Sequence, residues 1–316
     1  MICNFCYLKC SIKEGTFGHC HVRTVKDGKL ISTGANYLQA ICEDPIEKKP
    51  LYHFLPATLT MSVAQGGCNF SCDFCQNWEL SQQSYNYKGI EISPEELVEK
   101  TIKLNLPSIS FTYSEPLVWQ DYVYKTSILA KEKNLSTIMV TNGSFSKEAL
   151  ERLSPVVDAY NIDLKGDENY YKTICHGELK PVYNSIEYLI KNNKHVEVTT
   201  LILEKYHTLE TINQIGQELY KRGVKVWHIT KFYPNYKMAN EKPTGDQYLK
   251  EILEVAKKTK IPFIYPGNSM YFSPTVCPNC HRTLFTNHND HFLTKKELQT
   301  NIKDGNCAFC GQKIIS

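Results

Sequence analysis

A chain of 316 residues with 42% hydrophobic and 22% charged residues has the composition of a globular protein that buries a core, which excludes a disordered chain. The formal net charge is only +3 and arginine is confined to Arg23, Arg152, Arg222 and Arg282, so composition argues against a nucleic-acid protein built on guanidinium forks. No apolar run approaches the about 20 residues of a membrane span, and no basic segment followed by an apolar one opens the chain, so no membrane and a cytoplasmic location are expected. Thirteen cysteines, mostly clustered two or three residues apart, read as metal ligands in a reducing compartment and not as a secreted disulfide framework.

The first cluster is Cys3, Cys6, Cys10 and Cys20, in a segment too short to build a core, where a bound metal would supply folding energy. Zinc on four thiolates is the expected occupant, with His19 and His21 as alternate ligands and an accessory iron-sulfur cluster as the alternative that spacing does not separate. Residues 27 to 56 hold the turn Asp27-Gly28 and the segment Asp44-Pro-Ile-Glu-Lys-Lys-Pro-Leu-Tyr-His-Phe-Leu-Pro56, which reads as an irregular strap. Cys42 stands alone there and is expected to be a small buried apolar residue.

From residue 58 short β-rich runs alternate with helical patterns. The runs are 58–64, 108–112, 136–141, 159–163, 195–203, 226–230 and 261–265; the helices are expected near 94–104, 119–133, 146–153, 181–192, 208–221 and 245–258. Ser93-Pro94-Glu95-Glu96 supplies one clear helix start, with serine capping and proline in the first turn. Strands separated by helices predict a parallel sheet, and six or seven units fall short of a closed eight-fold barrel. The fold expected is α/β: a partial (β/α)6-type TIM barrel over 58–270, preceded by a cysteine-rich segment and strap over 1–57. A zinc-ribbon-like module over 271–316 follows, carrying Cys277-Pro-Asn-Cys280 and Cys307-Ala-Phe-Cys310. Its His281, His288 and His291 are expected to be exposed polar residues.

Within the barrel, the stretch 65–78 sets Cys68, Cys72 and Cys75 at three-residue and two-residue gaps with no fourth cysteine nearby in sequence. Three such thiolates can hold three irons of a cubane and leave the fourth open to an outside ligand, whereas a structural zinc site wants four protein ligands. In a parallel barrel the functional groups gather at the C-terminal strand ends. Those ends here carry Glu115, Asn142, Asp163 and Lys165, a set that suits a zwitterionic ligand: Glu115 to accept from an ammonium, Lys165 to pair with a carboxylate. Cys175-His176 is adjacent in sequence but lacks an orienting third group, so structural roles are expected for both.

Cys68-x3-Cys72-x2-Cys75, with Phe74 before the third cysteine, resembles the signature of radical S-adenosylmethionine enzymes. The resemblance implies that the three cysteines ligate a 4Fe-4S cluster and that S-adenosylmethionine chelates the open iron. Reductive cleavage then yields a 5′-deoxyadenosyl radical that abstracts hydrogen from a substrate. It further implies that Phe74 lies beside the adenine, that Glu115-Pro116 corresponds to a Gly-Gly-Glu-Pro segment with Tyr113-Ser114 in place of the glycines, and that Asp163-Leu-Lys165 reaches cofactor and substrate.

More narrowly, the chain is similar to the AmmeMemoRadiSam system radical SAM family. The carrying residues are Gly18-His-Cys20-His-Val-Arg23, the Asp44–Pro56 strap, the stretch 67–79, Phe232-Tyr-Pro-Asn-Tyr-Lys-Met238, Tyr265-Pro-Gly-Asn268 and the terminal ribbon. That resemblance implies two companion proteins and an electron donor as partners. A glycyl-radical activating enzyme is the alternative enzymatic reading, and a non-catalytic zinc-ribbon adaptor is the reading of a different class.

Overall fold

The computed structural model describes residues 1–82, 89–271, 274–286 and 301–315. His288 and His291 lie outside the described residues. Eight strands form one sheet: β1 (Ala40–Pro45), β2 (Leu59–Ala64), β3 (Ser108–Phe111), β4 (Ser136–Thr141), β5 (Ala159–Asp163), β6 (His195–Ile202), β7 (Val226–Lys231) and β8 (Phe263–Gly267). They lie in chain order across the sheet. From β2 to β8 every neighbouring pair is parallel.

Helices Pro94–Lys103, Gln120–Glu132, Lys147–Leu153, Leu179–Lys191, Leu209–Lys221 and Asp246–Lys257 make the six crossovers. Ser93 caps the first in a capping box with Glu96, and Ser146 and Thr208 cap two more through their hydroxyls, which satisfies amides that have no partner inside the helix. Among the described residues β1 and β8 do not pair with each other, so the barrel stays open, as six crossovers require.

The segment before β2 differs from an irregular strap. Ala40–Pro45 is a regular edge strand, antiparallel to β2 from Ala40 opposite Ala64 to Pro45 opposite Leu59. Its outer flank is uncovered, so Cys42 is exposed and not buried as its residue type suggested. After Pro45 the chain turns into the barrel. Ile46, Leu51 and Phe54 pack on Ile138 and Ala159, and Asn161 Nδ2 donates to Pro50 O at 2.8 Å.

The strap is tied there by Glu197, a fully buried carboxylate on β6. It accepts the backbone N–H of Tyr52 at 3.0 Å and of His53 at 2.8 Å, and it meets His195 Nε2 at 2.9 Å and His228 Nε2 at 2.6 Å. His53 extends the network, with Nδ1 at 2.7 Å from Ile314 O and Nε2 at 2.8 Å from Tyr265 OH. One carboxylate therefore joins strap, sheet and C-terminal segment.

Burial alone would raise the Glu197 carboxyl; the hydrogen bonds from His195 and His228 outweigh it and hold the group well below the usual carboxylate range. His53 and His207 are pushed below the ordinary imidazole value by burial. The unfolded chain thus binds more protons than the folded one, first below the ordinary imidazole value of 6.5 and again below the ordinary glutamate value of 4.5. Glu115, whose carboxyl burial pushes up to about 7, takes up its proton in the folded state through the first window and opposes the fall there, so the loss of stability is expected as pH is lowered below 4.5, read from urea midpoints between pH 6 and 3. Glu197→Ala, which strips partners from two histidines and two amides, is expected to cost about 3–5 kcal/mol in the same assay.

Candidate active site

The loop that follows β2 sits over the C-terminal ends of the strands. Gly67 opens it at φ +102°, and a Cβ there would stand 2.1 Å from Val22 Cγ2, so only glycine fits both the torsion and the space. The loop docks on a tight turn at Tyr171–Cys175: Ser71 N–H donates to Cys175 O at 3.3 Å and Asp73 N–H to Ile174 O at 3.0 Å. Asp73 is fixed in turn by His176 at 3.1 Å and Lys237 at 2.9 Å, and Trp78 stacks on Tyr236 at 5.1 Å. The 232–238 segment thereby clamps the loop from the side.

Cys68, Cys72 and Cys75 line one cavity of ≈ 360 Å³, together with Phe74, Glu115, Asn142, Asp163 and Lys165. All of these residues, predicted from separate strand ends, converge on the same space. Cys175 lies directly behind Cys72, whose Sγ is 3.9 Å from its carbonyl, but it does not line the cavity. His176 turns to Asp73, so Cys175 and His176 serve different partners.

Burial raises the thiols of Cys68 and Cys75; at Cys72 the side-chain contact with Cys175 is the larger cause and burial the next. Each must lose its proton to bind metal, so loading releases protons and is favoured by higher pH.

Glu115 is the hub of the strand ends. Its Oε1 accepts from Thr141 Oγ1 at 2.5 Å and Leu117 N at 3.0 Å, and its Oε2 from Asn142 N at 2.7 Å. Burial pushes the carboxyl up to about 7 against the pull of those three donors. Asn142 Nδ2 then donates to Asn69 Oδ1 at 2.9 Å and lies 3.7 Å from Cys68 Sγ. Opposite, Lys165 Nζ pairs with Asp163 at 2.8 Å and lies 5.7 Å from the centre of the Phe74 ring. Burial alone would lower this ammonium; Asp163 and the nearby thiols outweigh it and hold it well above its ordinary value.

Sequence reasoning missed how Tyr113-Ser114 occupies a stretch where two glycines were the expectation. Tyr113 adopts φ +66°, the left-handed region that glycine enters without cost. Its hydroxyl donates to Asp44 Oδ2, and Lys49 Nζ, only 2% exposed, reaches Asp44 at 2.7 Å and stands 4.6 Å from the Tyr113 ring centre. The strap thus holds Tyr113 in the strained torsion from outside, while Ser114 Oγ donates to Gln65 O. The Asp44 and Lys49 in the strap were the available signal.

At the C-terminus the sulfurs of Cys277, Cys280, Cys307 and Cys310 lie within 4.8 Å of one another, close enough to share one metal ion. Among the described residues this is the single cysteine set drawn together in that way. Cys3, Cys6, Cys10 and Cys20 line a common small cavity without closing to the same spacing.

Residues 62–219 match the radical SAM superfamily. The chain belongs to that superfamily. An uncharacterized protein of Methanocaldococcus jannaschii is 37% identical over 322 residues, spanning 99% of this chain and 94% of that protein. A second protein of the same organism, named as a glycyl-radical enzyme activating enzyme, is 31% identical over 196 residues, covering 58% of this chain and 72% of its own length. Among solved structures, Streptococcus suis SuiB bound to S-adenosylmethionine superposes with a TM-score of 0.52 at 13% identity over 68% of this chain, which spans 50% of SuiB. The fold is that of the superfamily's partial barrels, and the chain is an enzyme of the superfamily, whose membership implies S-adenosylmethionine and an iron-sulfur cluster. Among the described residues no helix is long and apolar enough to cross a membrane.

Tyr113→Phe, which leaves the strained torsion but removes its tie to a charged acceptor, is expected to lower unfolding free energy by about 1.5 kcal/mol, measured by chemical denaturation. An unchanged midpoint would show that the strap does not hold that residue.

Proposed function

We propose that this enzyme holds a 4Fe-4S cluster on Cys68, Cys72 and Cys75 and binds S-adenosylmethionine beside it. The observation that carries the reading is the convergence of three thiols, with no fourth cysteine on the cavity wall, on the same space as Glu115, Asn142, Asp163 and Lys165. When bound, the pair supplies one-electron reductive cleavage of the sulfonium to methionine and a 5′-deoxyadenosyl radical, which takes a hydrogen atom from substrate. The chain's own residues bind and orient. The carboxylate oxygens of Glu115, held in place by their donors, present acceptors for the methionyl ammonium, Lys165 offers a cation for its carboxylate, and Phe74 gives an apolar face for the adenine. Asn142 Nδ2, near Cys68 Sγ, donates toward the sulfur and lowers its electron density.

The substrate side carries two readings. The strap, the 232–238 segment and the terminal ribbon resemble the AmmeMemoRadiSam system, so the substrate is set with the two companion proteins of that system, and a low-potential one-electron donor completes the reaction. A glycyl-radical activating enzyme is favoured instead by the relatives named for that activity. In either case zinc on Cys277, Cys280, Cys307 and Cys310 closes the ribbon, since four thiolates at that spacing suit a tetrahedral ion.

Anaerobic incubation with dithionite and S-adenosylmethionine is expected to yield 5′-deoxyadenosine, and Cys72→Ala is expected to abolish it; normal yield from that variant would sink the cluster assignment. Adding the two companion proteins, with mass spectrometry of each, reads where the radical goes. A new glycyl radical on a partner enzyme would decide for the second reading. Cys307→Ser is expected to lower bound zinc while leaving the visible absorption of the Cys68 cluster in place, measured by metal analysis and spectrophotometry.

A further inference from the structure

The N-terminal cysteines form a second site whose geometry differs from that of the ribbon. Cys3, Cys6 and Cys20 are buried, Cys10 is half-buried, and no disulfide joins any of them. Backbone pairing brings the two arms of the knuckle together: Cys3 N–H donates to Cys10 O at 2.9 Å, and Gly18 N–H to Arg23 O at 2.8 Å. All four cysteines, with Arg23 and Asn69, surround one cavity of ≈ 10 Å³.

The spacing of the four sulfurs bears on the identity of the metal. Zinc bonds each of four sulfurs at about 2.3 Å, and sulfurs that close to a common centre leave no space between them. The sulfurs of Cys3, Cys6, Cys10 and Cys20 do not all gather within 4.8 Å of one another, so they stand back from a shared centre. The ribbon provides the contrast within the same molecule: its sulfurs close to 3.5 Å for Cys277 and Cys310 and 3.7 Å for Cys280 and Cys307. The N-terminal four do not close in that way, and neither do Cys68, Cys72 and Cys75. A cubane places each thiolate on a separate iron at its outer corners, which is the wider arrangement.

We propose that Cys3, Cys6, Cys10 and Cys20 hold a second 4Fe-4S cluster and not a zinc ion. Four ligands leave no iron open to an outside molecule, so the site is a redox centre: it gains one electron from a low-potential donor such as dithionite and returns it to an oxidant, with no bond made or broken. The centre backs onto the first site. Asn69 lines its cavity and accepts from Asn142 Nδ2, the same amide that lies 3.7 Å from Cys68 Sγ. Arg23, only 4% exposed, is stacked on Phe5 at 3.9 Å and ion-paired with Asp121 at 2.5 Å, which fixes that side of the cavity wall.

The test removes the first site and leaves the second. In the full chain carrying Cys68→Ala, Cys72→Ala and Cys75→Ala, anaerobic iron and sulfide reconstitution is expected to leave about four irons per chain, with broad absorption near 400 nm and an electron paramagnetic signal of one spin per chain after dithionite. Zinc should stay near one per chain, in the ribbon. A colourless triple variant with two zinc ions would overturn the proposal, and two irons would overturn the cubane assignment. Adding Cys6→Ser and Cys10→Ser to that variant is expected to remove the iron, with far-ultraviolet circular dichroism reporting that the barrel persists; retained iron would count against these ligands. If the triple variant and the unsubstituted protein hold the same four irons, the second cluster stands and the Cys68 site is the one that fails.

Discussion

The buried carboxylate of Glu115 is the constraint on which the site depends. A carboxylate taken wholly out of water is costly unless it is hydrogen-bonded, and this one is satisfied only when the ends of β3 and β4 lie side by side, because its donors are Thr141, Asn142 and Leu117. Once Asn142 is fixed, its side chain reaches Asn69 and Cys68, so the cysteine loop takes its position from the same network. The loop's opposite edge is set by the Tyr171–Cys175 turn and the 232–238 segment. Both flanks are held by contacts within the chain, and the thiols face the cavity.

A second carboxylate does similar work lower in the barrel. Glu197 collects the strap, two strand histidines and, through His53, the C-terminal segment. The strap it anchors then rises to the cavity, where Lys49 and Asp44 meet Tyr113. A residue with a side chain in a left-handed torsion costs of the order of 1–3 kcal/mol, and here the surroundings that offset it come from Asp44 and Lys49, 69 and 64 residues earlier in the chain. The strap is thus part of the site's support and not a mere linker.

Much of this was legible in the residues. The alternation of β-rich runs and helical patterns marked six helices and seven parallel strands close to where they lie, because period and capping are local properties of the chain. The spacing of Cys68, Cys72 and Cys75 marked the loop, and the strand-end rule brought Glu115, Asn142, Asp163 and Lys165 to it. Ala40–Pro45 was harder: an edge strand with one uncovered flank lacks the apolar alternation that announces a strand, and its exposed Cys42 follows from that position.

By itself the sequence determined the superfamily, the barrel and the residues that face its mouth, since each depends on short-range pattern and residue type. Only the tertiary structure decided how Tyr113 stands where glycine is expected, which carboxylates are saturated by donors, and that the two four-cysteine sets differ in spacing. Those outcomes depend on contacts between segments far apart in the chain, and on distances between sulfurs that no count of intervening residues specifies.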